Sequence, residues 1–221
     1  YLAERGKLVG QHSMGIAKPG TPPLALARGK DATPELPSTS HVSIVDKAGM
    51  AISMTSSIED GFGSRQMVNG YLLNNQLTDF SFTSVDTAGL PVANRVEPGK
   101  RPRSSMSPLL VFDKPSGELT MTLGSPGGSA IINYVGKTLL GTQDWGLNLQ
   151  QAINLPNFGS RNGPTELEAG RTPMSVVEGL KARGHEVVLN EQTSGLQGVE
   201  RNAGGWFGAA DPRREGIAKG E

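Results

Sequence analysis

A glycine-rich turn is the first feature of this sequence that suits chemistry. Residues 124–129 read Gly-Ser-Pro-Gly-Gly-Ser and lie between a predicted strand and a predicted helix. Such a turn directs backbone N–H groups outward at the positive end of the helix, which suits an anion or a developing oxyanion. A tight turn that only glycine can adopt explains the same residues. No Gly-Lys-Ser/Thr follows, so the segment is not a phosphate-binding P-loop.

Two polar clusters accompany this turn. Ser104, Ser105 and Ser107 stand before an apolar strand, where their hydroxyls suit either a bound carboxylate or a polar lead into the strand. A dense set of amides with one carboxylate follows another apolar strand, and it suits either recognition of a charged amino acid or ordinary turn chemistry. Its members are Asn74, Asn75, Gln76 and Asp79. The residue types alone leave both pairs of explanations open.

The remaining reactive residues exclude several kinds of site. His12, His41 and His185 are far apart in the sequence and show no metal-ligand spacing. The chain has 0 Cys, which excludes thiolate chemistry, a disulfide framework and a zinc–cysteine site. A serine–histidine–aspartate hydrolase is not excluded by counting, but no Gly-x-Ser-x-Gly elbow supports one. We therefore expect neither a metal nor a cofactor.

The charge and hydropathy of the chain limit the kinds of partner that it is expected to bind. The 21 basic and 21 acidic residues give a net charge of +0, so nothing favours nucleic acid or an anionic membrane. The basic cluster at residues 100–103 is short and typical of a solvated loop. No apolar run approaches the ~20 residues that span a bilayer, and no N-terminal signal pattern is present. Because the sequence starts at Tyr1 within a predicted helix, we expect it to begin inside a longer chain.

Turn residues and alternating apolar positions predict the elements that position these groups. Residues 1–10 are typical of a helix ended by Gly10, residues 11–38 of an extended linker, and residues 81–103 of a long functional or mobile loop. The order of the remaining elements predicts an α+β domain with antiparallel sheet covered by helices. They are a hairpin at 39–58, a strand at 71–73, a hairpin at 108–123, helices at 130–140, 149–153 and 173–183, and strands at 165–168, 185–189, 195–201 and 205–210.

Taken together, these segments resemble the gamma-glutamyltranspeptidase family, over nearly the whole chain from Thr39 onward. Any one segment is weak, but four in the right order and spacing are highly specific. Residues 1–38 are similar to the tail of the family's large subunit, and Ala-Asp-Pro-Arg at 210–213 is similar to its closing motif. The four segments are Thr-Ser-His-Val-Ser-Ile-Val-Asp at 39–46, Leu-Leu-Asn-Asn-Gln-Leu-Thr-Asp-Phe-Ser at 72–81, Lys-Arg-Pro-Arg-Ser-Ser-Met-Ser-Pro at 100–108, and the turn at 124–129.

The resemblance implies a precursor that cuts itself before a threonine. Carried onto this sequence, the cut falls between Ser38 and Thr39, so residues 1–38 end the large subunit as a pre-cleavage linker. Residues 39–221 then form the small, catalytic subunit. The implied fold is the αββα sandwich of an N-terminal-nucleophile (Ntn) hydrolase, of which this chain supplies the small-subunit part. The family's carboxylate-binding arginine lies in the large subunit, so the uncut chain alone is expected to be inactive.

The implied chemistry has a physical basis in the terminal amine. A threonine hydroxyl is a weak nucleophile and needs an adjacent base. A freed α-amino group, with a pKa near ~8, accepts the hydroxyl proton close to neutral pH, whereas an amide nitrogen does not. The resemblance therefore implies that cleavage activates Thr39. Its hydroxyl attacks a γ-glutamyl amide, and water or an acceptor amine then removes the acyl group.

The resemblance also implies roles for other residues. Gly127 and Gly128 match the oxyanion-hole pair, and Ser57 falls where the family often has a second threonine supporting the nucleophile's hydroxyl. Glu59 falls where many members have an asparagine that contacts the substrate's α-amino group; a glutamate still suits an ammonium and adds negative charge. The other implied substrate-binding residues are Ser104 and Ser105 for the α-carboxylate, Gln76 and Asp79 for the α-amino group, and Asn75 beside them.

The implied function is γ-glutamyl transfer and hydrolysis, with glutathione as donor and an amino acid, peptide or water as acceptor. The implied partner is the large subunit of the same precursor, and the implied compartment is periplasmic or extracellular. One alternative is an offshoot acting on a glutaryl β-lactam or poly-γ-glutamate, which Glu59 and a short, tyrosine-free loop at 80–103 keep open. The other is a degenerate, non-catalytic homologue, against which Thr39, Gly127 and Gly128 argue.

Overall fold

The architecture is that of a computed structural model, which describes residues 1–31 and 39–220. Ser38, on one side of the predicted cut, lies outside the described residues. Within these ranges the helices are α1 (Leu2–Gly6), α2 (Ile131–Gln143), α3 (Leu149–Asn154) and α4 (Met174–Ala182). The strands are β1 (Thr39–Val45), β2 (Ala51–Ser57), β3 (Met67–Val68), β4 (Tyr71–Leu72), β5 (Leu109–Phe112), β6 (Leu119–Gly124), β7 (Phe158–Gly159), β8 (Thr165–Glu168), β9 (Val187–Asn190), β10 (Gln197–Asn202) and β11 (Gly205–Ala210).

The hairpin of β1 and β2 has a polar inner face and an apolar outer face. Successive side chains of a strand point to opposite faces, so the hydroxyls of Ser43 and Ser53 turn inward. Ser53 Oγ donates to the Leu123 carbonyl at 3.1 Å, which fixes the hairpin against β6. On the outer face, three apolar side chains stay about half exposed in the described structure: Ile44 (49%), Ile52 (47%) and Met54 (51%).

The central sheet has the strand order β11-β10-β6-β5, and neighbouring strands are antiparallel. Met121 and Leu123 of β6 are buried in the main core, whereas Gly124 faces the hairpin. Helices α2 and α3 cover the face of the sheet opposite the hairpin. Hairpin, sheet and helices thus form three successive layers. The core between sheet and helices consists of Met121, Leu123, Ile131, Tyr134, Val135, Leu149, Ile153, Leu196 and Ala209.

A smaller sheet consists of β7, β8 and β9, and the C-terminal segment of the chain is attached to it through Arg213. Strands β8 and β9 are parallel and are connected through α4. Arg213 forms a fork-like ion pair with Glu168 at the end of β8, with both N–O distances at 2.7 Å, and its guanidinium also donates to Asp211 Oδ1 at 3.0 Å. Side chains of Arg213 and Glu168 are only 5% and 6% exposed, so this pair is protected from solvent screening.

Most predicted elements are confirmed within a few residues, but two details are wrong. The sheet predicted as antiparallel includes one parallel pair, β8 and β9, because α4 connects these strands. The helix predicted for residues 1–10 ends at Gly6 rather than Gly10. It has no buried residue to stabilise it, and short helices without tertiary packing are marginal in water. The sequence also did not predict the two-residue strands β3 and β7 or a 3-10 turn at Gln76–Asp79. In the described part of the chain, no helix combines the length and apolarity that a bilayer crossing requires.

Candidate active site

Thr39 stands at one end of the hairpin, directly opposite Ser57. The two residues are Cα partners at the open ends of β1 and β2. Directly opposed residues in an antiparallel pair have Cβ atoms about 4.5–5.5 Å apart, so the two hydroxyls are neighbours. Both residues are partly buried and belong to the inner, polar side of the hairpin. The hairpin therefore presents two adjacent hydroxyls at a single point.

A pocket at this end of the hairpin brings Thr39 together with most of the residues predicted for the site. Asn75 and Gly127 are not part of its lining, but each is next in sequence to a residue that is. Ser38 lies outside the described residues. The lining consists of Thr39, Ser57, Glu59, Gln76, Asp79, Arg103, Ser104, Ser105, Met106, Gly128, Ser129 and Ile131.

The glycine turn has a geometry that other residues do not adopt readily. Gly127 has a φ of 138° and Gly128 a φ of 59°, both in the region that favours glycine. A Cβ added to Gly127 would lie 2.6 Å from the ring of Tyr134, which is a buried core residue. The turn leads through a short 3-10 segment into α2, so its amides stand at the helix's positive end. This arrangement suits stabilisation of an oxyanion.

The acidic side of the pocket is built from the end of β2 and the 3-10 turn after β4. Glu59 is only 5% exposed, and its backbone amide donates to Ser57 Oγ at 2.9 Å. Asn75 Nδ2 donates to Glu59 Oε2 at 2.5 Å, and Gln76 Nε2 donates to the Asp79 carboxylate. Two carboxylates, each oriented by a side-chain amide, therefore face one pocket. Such a pair suits an ammonium group.

Asn94 connects the acidic side of the pocket to the serine side. Its Nδ2 donates to the Asp79 carbonyl at 2.7 Å, and its Oδ1 accepts from the Arg103 amide at 2.9 Å. Arg103 directly precedes Ser104 and Ser105. One side chain in the long loop thus holds together the two segments that form opposite sides of the pocket.

His41 packs behind the pocket, between the hairpin and β6. Its Nδ1 lies 2.8 Å from Thr55 Oγ1 and its Nε2 lies 3.1 Å from Ser43 Oγ. The imidazole rests on Gly124, where an added Cβ would lie 2.1 Å from the ring. Burial lowers the pKa of His41 to about 4, so the imidazole is neutral at neutral pH. We infer that His41 positions the strand carrying Thr39.

Sequence reasoning missed Arg103 and Asn94. Arg103 was assigned to a basic cluster typical of a solvated loop, which is wrong for this residue, because its side chain is only 28% exposed and lines the pocket. Its position directly before Ser104 was the available signal. Asn94 carried no signal, because only the folding of the 81–103 loop brings it to Asp79. Among the described residues, no group of three or more histidine or acidic side chains is placed to hold a metal ion.

Comparison with known proteins gives consistent matches. The profile of the Gamma-glutamyltranspeptidase family matches residues 1–221. The glutathione hydrolase proenzyme of Escherichia coli (strain K12) is 37% identical over 92% of this chain and 36% of its own length. The glutathione hydrolase proenzyme of Pseudomonas sp. (strain A14) is 34% identical over 100% of this chain and 40% of its own length. This chain thus spans less than half the length of these curated relatives.

A solved structure gives the same result for the fold. The gamma-glutamyltranspeptidase from Pseudomonas nitroreducens superposes with a TM-score of 0.69 at 32% identity, covering 82% of this chain and 98% of that chain. The predicted α+β class and Ntn-hydrolase fold are therefore confirmed, and the three layers described above are this chain's part of the αββα sandwich. The chain belongs to the gamma-glutamyltranspeptidase family.

Proposed function

We propose that the protein carrying this chain transfers and hydrolyses γ-glutamyl groups, with Thr39 as its nucleophile. The observation that carries the proposal is the single pocket in which Thr39 meets Gly128, Asp79 and Ser104. Curated relatives named glutathione hydrolase proenzymes support glutathione, or a related γ-glutamyl amide, as the donor. The word proenzyme in their names is consistent with activation by cleavage, here between Ser38 and Thr39.

The proposed bond-making and bond-breaking steps use groups at or next to the pocket. After cleavage, the α-amino group of Thr39 accepts the proton of its own hydroxyl as the oxygen attacks the γ-carbonyl. Backbone amides of Gly127 and Gly128 hold the developing oxyanion. The C–N bond then breaks, the departing amine takes the proton, and an ester links the γ-glutamyl group to Thr39. Water or an acceptor amine attacks this ester and restores the hydroxyl, which Ser57 helps to orient.

Recognition of the γ-glutamyl head group follows from the charges of the pocket. The acidic side suits the substrate's α-ammonium, because ionised partners form stronger hydrogen bonds than neutral ones. The serine side supplies hydroxyl donors for the α-carboxylate. We assign the ammonium to Glu59, Gln76 and Asp79, with Asn75 orienting Glu59, and the carboxylate to Ser104 and Ser105.

The large subunit of the same precursor is the proposed partner. Residues 1–38 would end that subunit, and residues 39–221 would form the small one. The half-exposed apolar residues Ile44, Ile52 and Met54 give the hairpin an outer face suited to a further layer. Family resemblance supports a periplasmic or extracellular location.

Replacing Thr39 in the full-length protein tests the proposal. We expect Thr39→Ala to abolish both self-cleavage and γ-glutamyl-p-nitroanilide turnover, because alanine lacks the attacking oxygen, while Thr39→Ser keeps part of both. Thr87→Ala, which alters an exposed threonine of the long loop, should cleave and turn over normally. Cleavage before residue 39 in the alanine variant would contradict the assignment. Residues 1–221 alone, uncut, should show no turnover.

A second candidate is an acylase for another amide, such as a glutaryl β-lactam or poly-γ-glutamate. The observation that favours it is the buried carboxylate of Glu59 inside the pocket, where the family often has an asparagine. A panel of γ-glutamyl and glutaryl amides separates the two functions, since a glutaryl group lacks the α-ammonium. Preference for the glutaryl amide would favour the second candidate.

A further inference from the structure

Arg103 is unusual among the groups around Thr39. Of the described residues that line this pocket, it is the one that carries a positive charge, and the carboxylates of Glu59 and Asp79 belong to the same lining. Its side chain is 28% exposed, so its charge is only partly screened by water. The pocket therefore has an acidic side and a basic side, both supplied by this chain.

The position of Arg103 is fixed by the fold. Its backbone amide donates to Asn94 Oδ1 at 2.9 Å, while Asn94 Nδ2 donates to the Asp79 carbonyl at 2.7 Å. Asn94 thus sets the separation between the segment bearing Arg103 and the segment bearing Asp79. Ser104 and Ser105 follow Arg103 directly, so a guanidinium and two hydroxyls occur in three consecutive residues. Guanidinium groups match the planar geometry of a carboxylate.

A carboxylate of the chain already rests against this arginine. Asp31 Oδ2 lies 3.6 Å from Arg103 Nη1 and accepts a hydrogen bond of 2.8 Å from Asn94 Nδ2. At 3.6 Å the contact between Asp31 and Arg103 is an ion pair and not a close hydrogen bond. Asp31 also lies on the other side of the proposed cut from Thr39.

We propose that Arg103 determines substrate specificity by binding the α-carboxylate of the γ-glutamyl group, in competition with Asp31. The inference rests on the proposed function and adds a carboxylate-binding cation from this chain. A zwitterionic head group then meets the acidic side through its ammonium and Arg103 through its carboxylate. An acyl group that lacks the carboxylate loses this second contact.

The test compares two substrates in the processed full-length protein: γ-glutamyl-p-nitroanilide and its α-methyl ester. For Arg103→Met we expect KM for the free acid to rise about 10-fold or more, the effect of losing a charge-assisted hydrogen bond, with little change in KM for the ester. Arg103→Lys should lie between wild type and Arg103→Met. Arg101→Met, in the same basic cluster but exposed and outside the pocket lining, should behave as wild type.

The outcomes separate this inference from the proposed function. Equal effects of Arg103→Met on the acid and on the ester would show a merely structural role and overturn the inference, while turnover itself upholds the γ-glutamyl activity. No turnover of either substrate by wild type would overturn both.

Asp31 provides a second, independent readout. Asp31→Asn removes the competing charge, so KM for the free acid should fall about threefold, the scale of a partly exposed ion pair, with KM for the ester unchanged. An unchanged KM for the free acid would contradict competition between Asp31 and the substrate's α-carboxylate for Arg103.

Discussion

At the residue scale, the site depends on a few positions that tolerate few residue types. Thr39 and Ser57 bring two hydroxyls together because they are paired at the open end of the hairpin. Glycine is required at position 127 for two reasons. The backbone φ there is 138°, and an added Cβ would clash with the ring of Tyr134. A side chain at Gly127 would move the turn that carries the proposed oxyanion amides.

Gly127→Ala tests the glycine turn. We expect kcat for γ-glutamyl-p-nitroanilide to fall about 100-fold or more, the usual cost of losing one oxyanion donor. Gly117→Ala is the matched control, since Gly117 also has a positive φ (72°) but sits in the β5–β6 turn with open space around it. It should lose about 1–2 kcal/mol of stability, because alanine is strained at a positive φ, and keep its kcat. Equal kcat values in the two variants would argue against the oxyanion role.

The sequence predicted individual site residues unevenly. Thr39, the diglycine and the serine pair stand in compact motifs, so their grouping was predictable through family resemblance. Asp31 comes close to the site through tertiary contacts alone, and Arg103 was indicated only by its position directly before Ser104. Asn94 brings them together by bonding to Asp31, Asp79 and Arg103 at once, and no local pattern encodes such a contact.

At the element scale, the hairpin is held against the central sheet by the hydrogen bond from Ser53 to the Leu123 carbonyl and by the packing of His41 on Gly124. His41 bonds to Thr55 and Ser43 and rests on Gly124, so the strand that starts at Thr39 is fixed to the strand that ends at the glycine turn. Both hairpins were predictable from alternation and turn residues. The two-residue strands β3 and β7 were not, because so short a segment shows no period.

His41 should make stability depend on pH. Burial lowers its folded-state pKa to about 4, below the unfolded value near ~6.5, so the unfolded chain binds the proton first as pH falls. The contribution of neutral His41 to the free energy of unfolding is complete above pH ~6.5 and is lost as the pH falls from ~6.5 to ~4. Between pH 7.5 and pH 5 this loss amounts to up to about 2 kcal/mol.

Urea unfolding of the processed full-length protein at pH 7.5 and pH 5 measures this loss. His41→Gln should show a smaller difference between the two pH values than wild type, and exposed His12→Gln should show the wild-type difference. If His41→Gln kept the full difference, another group would be responsible.

At the scale of the whole molecule, the chain makes three layers and leaves the apolar outer face of the hairpin uncovered in the described structure. The buried Arg213–Glu168 pair holds the chain's end to β8, and the helices cover one face of the central sheet. The outer face of the hairpin keeps Ile44, Ile52 and Met54 half exposed. Helices packed on antiparallel sheet were predictable from the element order, and the second sheet layer only through family resemblance. The partner of this face lies beyond what local sequence patterns specify.

Ile52→Asp tests the proposed subunit contact in the full-length protein. A charge buried in an apolar interface costs several kcal/mol, so we expect the two cleavage products to separate in size-exclusion chromatography, whereas in wild type they co-elute. Met174→Asp, which alters an exposed methionine at the start of α4, should leave them together. Co-elution of the Ile52→Asp products would show that this face is not the subunit contact.

The N-terminal sequence of the small fragment, with its intact mass, tests the central claim most directly. Purified full-length protein should contain a fragment that begins Thr-Ser-His-Val, because the Thr39 amine must be free to act as a base. An active protein that remains a single uncut chain, or whose small fragment begins at any other residue, would contradict the account.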